Sequence, residues 1–210
     1  MKSIYIFDMD GTLTDSMLYV ARNVFRVLDE ERIPYTVEMM KKLTPAGYYK
    51  TAEYFSALGV PGTVEEILAR LKSGLVETYE KEVPLKEGVR EYLLRTHTEG
   101  ARFFILTGSP SEVAEACMRG KGLDALFEGY YSTDDLHLAK NDPAIYTRMC
   151  EIVGCKPEDV IYYDDNVEAL RTAGSVGFET YAVYDGQPTE VLAAMKKDAD
   201  HYITSFSELL

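Results

Sequence analysis

The chain has 210 residues, of which 46% are hydrophobic and 27% are charged, and its formal net charge is −13. This length and composition predict one large domain, or one domain that carries a smaller insert. The acidic excess would repel phosphate backbones, which argues against nucleic acid as a partner, and no apolar run approaches the roughly 18–20 residues of a membrane span.

The first part of the chain predicts one strand followed only by helices. The buried strand covers residues 3–7 and follows Met1 without the apolar region and cleavage site of a signal peptide, so we expect a cytoplasmic protein. Apolar residues at helical spacing, among them Val20, Val24 and Leu28, predict a helix over residues 16–31. Three further helices are expected at 37–43, 48–58 and 64–82, separated by proline and glycine.

From residue 85 onwards, predicted helices and strands alternate. Strands are expected within 101–109, 129–132, 159–166 and 179–183, with a short edge strand at 202–203, and helices at 89–96, 111–119, 143–153 and 168–173. Such alternation with nearly continuous apolar strands predicts an α/β fold, with a Rossmann-like, three-layer parallel-sheet core. Residues 17–84 interrupt this pattern and are interpreted as an inserted helical cap domain, which leaves 1–16 and 85–210 as the core domain.

Polar residues follow three of the predicted strands, where the carboxyl ends of a parallel sheet meet. They are Asp8 and Asp10 after the first strand, Thr107, Gly108 and Ser109 after the second, and Asp164 and Asp165 after the third. Four carboxylates in one small space need a cation, and an all-oxygen ligand set suits a hard ion, of which Mg²⁺ is the best candidate. Because side chains alternate along a strand, Asp8 and Asp10 project the same way, so one can attack an electrophile while the other moves a proton.

The motif "DMDGT", a threonine that ends the second core strand, a distant lysine and an acidic pair together resemble the haloacid dehalogenase superfamily of aspartate-nucleophile phosphotransferases. The resemblance covers essentially the whole chain. It implies that Asp8 is the nucleophile that forms an aspartyl-phosphate, and that Asp10 is the general acid and base. Lys140, in "LAKNDPAIY", resembles the lysine that neutralises charge on Asp8 and the phosphoryl group.

The same resemblance assigns the remaining core positions. Thr107 would hold a phosphoryl oxygen with help from the Gly108 N–H, and Ser109 could also touch the phosphate. Asp164 and Asp165 match the acids that bind Mg²⁺, and the two aspartates of the first motif complete the metal site, the second of them through its backbone carbonyl.

The cap segment "LTPAGYYKTAEYF" offers further substrate-binding candidates. Gly47 permits a close approach or a tight turn before a helix, and Tyr48, Tyr49 and Lys50 could face the phosphate site. Alternatively, the tyrosines pack within an amphipathic helix and Lys50 faces solvent.

These residues predict a Mg²⁺-dependent phosphatase that hydrolyses a small phosphorylated metabolite and is a monomer or a homodimer. A phosphomutase of the β-phosphoglucomutase type would share all the core motifs, so it remains an alternative. Two further alternatives are a phosphonoacetaldehyde hydrolase and a non-catalytic protein that binds a phosphometabolite. Phosphonoacetaldehyde hydrolases have a similarly placed Gly-x-x-Lys, but they and the haloacid dehalogenases proper lack the residue corresponding to Asp10, whose presence favours phosphate-ester chemistry.

Overall fold

The computed structural model describes residues 3–43 and 48–210, without the side chains of residues 40–42. Within these residues, six parallel strands form one sheet in the order β3-β2-β1-β4-β5-β6. The strands are β1 (Ile4–Phe7), β2 (Arg102–Thr107), β3 (Phe127–Ser132), β4 (Val160–Asp164), β5 (Glu179–Val183) and β6 (His201–Ile203). The predicted α/β fold with a Rossmann-like parallel sheet is therefore confirmed.

Both faces of the sheet are covered, which explains why its central strands are apolar throughout. In β1, Phe7 packs into one hydrophobic cluster and Ile4 and Ile6 pack into the other, on the opposite face. Successive side chains of a strand point to opposite faces of the sheet. When both faces are buried, every position of the strand is apolar, and the usual alternation of apolar and polar residues is lost. The helices that accompany the sheet are α6 (Val89–Thr98), α7 (Ser111–Gly120), α8 (Thr133–Leu136), α9 (Pro143–Val153), α10 (Val167–Val176) and α11 (Thr189–Asp198).

Between β1 and β2, the described residues form five helices. They are α1 (Met17–Glu30), α2 (Val37–Leu43), α3 (Tyr48–Ala57), α4 (Val64–Lys72) and α5 (Leu75–Lys81). Side chains of α1 to α4, including Phe25, Phe55 and Ile67, form a hydrophobic cluster of their own. In contrast, Leu75 and Tyr79 of α5 belong to the cluster on one face of the sheet, and α5 packs against α7. The division into core and cap domains stays a prediction.

The single helix predicted at 64–82 is two helices in the structure. The chain turns at Ser73 and Gly74, where Gly74 has a φ of +81°. Side chains of α1 donate hydrogen bonds to carbonyl groups at this break. Asn23 donates to Leu71 O at 2.8 Å, and Arg26 donates to Arg70 O at 3.0 Å. The hydrophobic periodicity continues across the break, so the sequence pattern alone did not reveal it.

Two other differences concern the second half of the chain. Helix α11 was not predicted, since only Met195 among its residues is fully buried and its apolar stripe is short. Strand β3 begins at Phe127, two residues before the predicted start. Among the described residues, no helix combines the length and the apolar character required to cross a membrane.

Candidate active site

Asp8 and Asp164 lie at the carboxyl ends of β1 and β4, with Lys140 between them. Both carboxylates are buried, being only 4% and 1% exposed. The Lys140 ammonium donates one hydrogen bond to Asp8 and another, of 2.9 Å, to Asp164 Oδ2. The loop that carries Lys140 is held by Tyr146, whose hydroxyl donates to the Lys140 carbonyl at 2.8 Å. One ammonium thus faces two buried carboxyl groups.

Burial and charge act in opposite directions on these groups. Burial raises the pKa of Asp8 to about 7 against the opposing effect of Lys140, and Asp164 and Asp10 add to the rise. Burial would by itself lower the pKa of Lys140, but the carboxylates of Asp164 and Asp8 outweigh it and raise that pKa. Lys140 is therefore firmly cationic, whereas the carboxylates around it are short of positive charge.

Asp165 brings a third carboxylate to this cluster. Oxygen atoms of Asp8, Asp164 and Asp165 all lie within 4.8 Å of one another. Burial and the charges of Asp164 and Asp8 raise the pKa of Asp165 well above its usual range. Such closely spaced carboxylates repel one another, and their oxygens are the ligands that hard cations prefer. The cluster could therefore hold a divalent metal ion, whose charge would complement that of Lys140.

Asp10 lies beside this cluster and is held differently. Its Oδ1 accepts a hydrogen bond of 2.5 Å from the Tyr79 hydroxyl of α5, and its Oδ2 accepts one of 2.7 Å from the Ser109 hydroxyl. Two donors from distant parts of the chain therefore orient this carboxylate. The predicted contact of the Asp10 backbone carbonyl with a metal ion stays a prediction.

The loop after β2 brings the predicted phosphate-binding residues to the same sheet edge. Thr107 is fully buried, and its hydroxyl accepts a hydrogen bond of 3.0 Å from the Ser109 backbone N–H. Gly108 is exposed. The loop thus stands next to the aspartates that follow β1, as expected from β2 pairing with β1 in parallel.

Gly11 allows the loop after β1 to pack against the loops after β4 and β5. Its φ is +81°, and a Cβ atom placed on it would lie 2.9 Å from Asp165 Oδ2 and 2.8 Å from Asp185 Oδ2. Gln187 supports Asp165 from the same side, since its Nε2 donates to the Asp165 carbonyl at 3.0 Å. A side chain larger than hydrogen at position 11 would therefore push against a carboxylate of the site.

The structure describes three of the four cap residues that are candidates for substrate binding. Gly47 lies outside the described residues. Lys50 and Tyr49 are exposed on α3, whereas Tyr48 is partly buried, and its pKa is raised by burial and by the charge of Asp10. Tyr48 thus faces the core, while a role of Lys50 at the phosphate stays a prediction.

Two neighbouring cavities meet at Asp10 and Gly108. The acidic cavity has a volume of about 490 Å³ and contains Asp8, Lys140, Asp164 and Asp165 in its lining. The second cavity has a volume of about 320 Å³ and lies between the loops of the sheet edge and helices α1, α3 and α5. A molecule that reaches from one cavity into the other would pass Asp10.

Sequence reasoning missed Tyr79, Asp185 and Gln187. Asp185 follows β5, so the rule that polar residues gather after parallel strands could have identified it in "VYDGQ". Tyr79 carries no such signal, because it lies within a helix and is separated from Asp10 by 69 residues.

The comparisons with known proteins agree with this geometry. A family model for haloacid dehalogenase-like hydrolases matches residues 2–177. The (S)-2-haloacid dehalogenase 4A of Burkholderia cepacia is 32% identical over 140 residues, which are 66% of this chain and only 59% of that protein. The phosphorylated carbohydrates phosphatase of Thermotoga maritima is 25% identical over 175 residues, covering 83% of this chain and 81% of that one.

Among solved structures, a candidate β-phosphoglucomutase of Thermotoga maritima matches with a TM-score of 0.82. The two chains are 24% identical, and the match covers 99% of this chain and 96% of the other. This likeness supports the fold, from the parallel sheet to the helices between β1 and β2.

Proposed function

The chain belongs to the haloacid dehalogenase-like hydrolases, and from that premise we propose that it is a Mg²⁺-dependent phosphatase that acts on a small phosphorylated metabolite through Asp8. One observation carries the proposal: Lys140 joins Asp8 to Asp164 while Asp10 is held beside them by two other donors. This arrangement offers a nucleophile and a separate acid and base within one site. The phosphatase among the relatives is consistent with it.

In the first step, a carboxylate oxygen of Asp8 attacks the phosphorus atom, and the bond between phosphorus and the ester oxygen breaks. Asp10 gives its proton to that oxygen, so the product leaves as a neutral alcohol. Lys140 offsets negative charge on Asp8 and on the phosphoryl oxygens, and the Thr107 hydroxyl and Gly108 N–H hold the phosphoryl group in place.

In the second step, Asp10 takes a proton from water, and the water oxygen attacks the phosphorus of the aspartyl-phosphate. The bond between Asp8 and phosphorus then breaks, which releases inorganic phosphate and restores the carboxylate. Asp8, Asp164 and Asp165 would hold Mg²⁺, which when bound supplies positive charge to the carboxylates and the phosphoryl oxygens.

Asp10 also favours a phosphatase over a dehalogenase. A halide leaves as a stable anion and needs no proton, whereas an alkoxide is a poor leaving group without one. Because a haloacid dehalogenase is among the similar proteins, dehalogenase activity should be tested as well. Release of chloride from 2-chloropropionate measures that activity directly. We expect no chloride release.

We further propose that residues 17–84 form a cap over the site. The separate hydrophobic cluster of α1 to α4 supports a packing unit distinct from the sheet. Helix α5 connects this unit to the core, because Tyr79 packs against the sheet and reaches Asp10.

The first experiment is hydrolysis of p-nitrophenyl phosphate by the wild-type protein with and without Mg²⁺. We expect turnover that EDTA abolishes, and Asp8→Asn should reduce it by at least about a thousandfold because the nucleophile is lost. Asp29→Asn is the matched control, since Asp29 is exposed on α1 and its carboxylate accepts a hydrogen bond of 3.3 Å from the Tyr35 hydroxyl. Full activity in Asp8→Asn would refute the assignment.

The phosphomutase alternative shares the first step, so it needs an assay of its own. Glucose 6-phosphate formation from β-glucose 1-phosphate with a bisphosphate primer measures it. We expect release of inorganic phosphate without glucose 6-phosphate, and efficient formation of glucose 6-phosphate would replace the phosphatase by a mutase.

A further inference from the structure

The cavity of about 320 Å³ beside Asp10, which we name the leaving-group cavity, has a mostly apolar wall. Helix α1 contributes Met17, Val20, Ala21 and Val24. These positions are three, four and seven residues apart and therefore form one stripe along the helix. Leu43 extends the same apolar surface.

One end of this cavity is polar. Tyr79 and Ser109 both donate hydrogen bonds to Asp10 there, at the boundary with the acidic cavity, and Tyr48 and Thr51 add two further side-chain hydroxyl groups to the lining. The reacting ester oxygen would lie near Asp10, so the rest of the leaving group would extend along the apolar stripe of α1.

The part of the leaving-group cavity that the structure describes contains no cationic side chain. Among the described residues that line it, none is a lysine, arginine or histidine, and Asp10 is the one charged residue. A second phosphate or a carboxylate would lose its hydration there, and no cation among these residues would offset that cost. Apolar groups, in contrast, gain from leaving water.

We infer that this cavity selects an uncharged, mainly apolar leaving group, so that the substrates are phosphate monoesters of apolar alcohols and not bisphosphates or phosphorylated carboxylic acids. The inference rests on the proposed phosphatase function, because it identifies the cavity with the alcohol part of the substrate. The acidic cavity, with Lys140 and the three clustered aspartates, would take the phosphate group alone.

The test is a series of ethyl, butyl and hexyl phosphate with the wild-type protein in the presence of Mg²⁺. We expect kcat/KM to rise about fourfold per added methylene until the alkyl chain fills the cavity. Phosphoglycolate and fructose 1,6-bisphosphate should both be poorer substrates than butyl phosphate. A flat or falling alkyl series, or a preference for either anionic substrate over butyl phosphate, would overturn the inference.

A cavity-filling variant locates the effect. Ala21 lines the cavity and is 9% exposed, so Ala21→Leu should end the rise of kcat/KM at a shorter alkyl chain than in the wild type. Ala57→Leu is the matched control, because Ala57 is exposed on α3 and does not line the cavity. An unchanged alkyl series in a folded Ala21→Leu protein would place the alkyl chain elsewhere.

Binding to the Asp8→Asn variant separates the inference from the proposed function. Calorimetry with Mg²⁺ and each alkyl phosphate measures affinity without turnover. If the wild type hydrolyses no ester, the proposed function fails, and affinity that rises with chain length still supports the apolar site. If esters are hydrolysed but affinity is independent of chain length, the function stands and the inference fails.

Discussion

The hydroxyl of Tyr79 is predicted to position Asp10 for proton transfer. Tyr79→Phe removes that hydroxyl and keeps the ring, which is fully buried in the cluster on the sheet. A hydrogen bond to a charged group contributes about 1.5–3 kcal/mol to stability. Asp10 borders two cavities, so water can partly replace the lost donor. We therefore expect the stability of Tyr79→Phe to fall by an amount near the lower end of this range. For a chain of this length, about 1.5 kcal/mol lowers the Tm by about 3–6 °C.

The effect on activity should depend on the leaving group. Proton donation matters for an alkyl phosphate, whose alkoxide is a poor leaving group, and matters little for p-nitrophenyl phosphate. Because Ser109 still holds the other oxygen of Asp10, we expect kcat/KM for butyl phosphate to fall about tenfold, with a change of less than about twofold for the aryl ester.

The assay is therefore the ratio of kcat/KM for the two esters in the wild type and in Tyr79→Phe, with thermal unfolding of both proteins. Tyr35→Phe is the matched control, because the Tyr35 hydroxyl also donates to a carboxylate. That carboxylate belongs to Asp29, an exposed residue of α1, and the hydrogen bond is 3.3 Å long. Its ratio should equal that of the wild type. An equal loss for both esters in Tyr79→Phe, or no loss for either, would refute the positioning role and leave Tyr79 a packing residue.

Three further predictions concern the acidic cluster. Mg²⁺ at about 100 times its Kd should raise the Tm of the metal-free protein by about 5–10 °C. The rise should be smaller in Asp165→Asn, because one of the three clustered carboxylates is lost. If the rise in Asp165→Asn equals that of the wild type, Asp165 is not a metal ligand. Lys140→Met leaves the buried carboxylates without their ammonium, so urea unfolding in EDTA should show a loss of about 3–5 kcal/mol, and a loss below about 1 kcal/mol would contradict the pairing. Gly11→Ala and Gly59→Ala both place alanine in a left-handed backbone conformation, which costs about 1–2 kcal/mol of stability in each variant. A Cβ at position 59 meets nothing within 4 Å, whereas a Cβ at position 11 would press against Asp165. Only Gly11→Ala should therefore lose phosphatase activity, and equal activity of the two variants would show that the contact with Asp165 is unimportant.

Local signals in the sequence sufficed for the sheet and for its polar edge. Strands buried on both faces are continuous apolar runs, and each run here ends at a residue that breaks the pattern, such as Asp8, Thr107 or Asp164. Parallel pairing then requires those ends to meet at one edge, so the proximity of the aspartates followed without knowledge of any loop. Their chemical roles stay predictions, whereas their juxtaposition with Lys140 is observed.

Only the tertiary structure decided how the helices between β1 and β2 meet that edge. The pairing of Tyr79 with Asp10 and the apolar wall beside it depend on where α1, α3 and α5 pack. Helical periodicity identifies the buried face of each helix, but it does not specify which surface that face covers. The break at Gly74 shows the same limit, since side chains of α1, distant in sequence, bind the carbonyl groups it frees. The sequence by itself thus determined which polar side chains gather at the sheet edge, and the packing of the helices between β1 and β2 decided the shape and polarity of the space beside it.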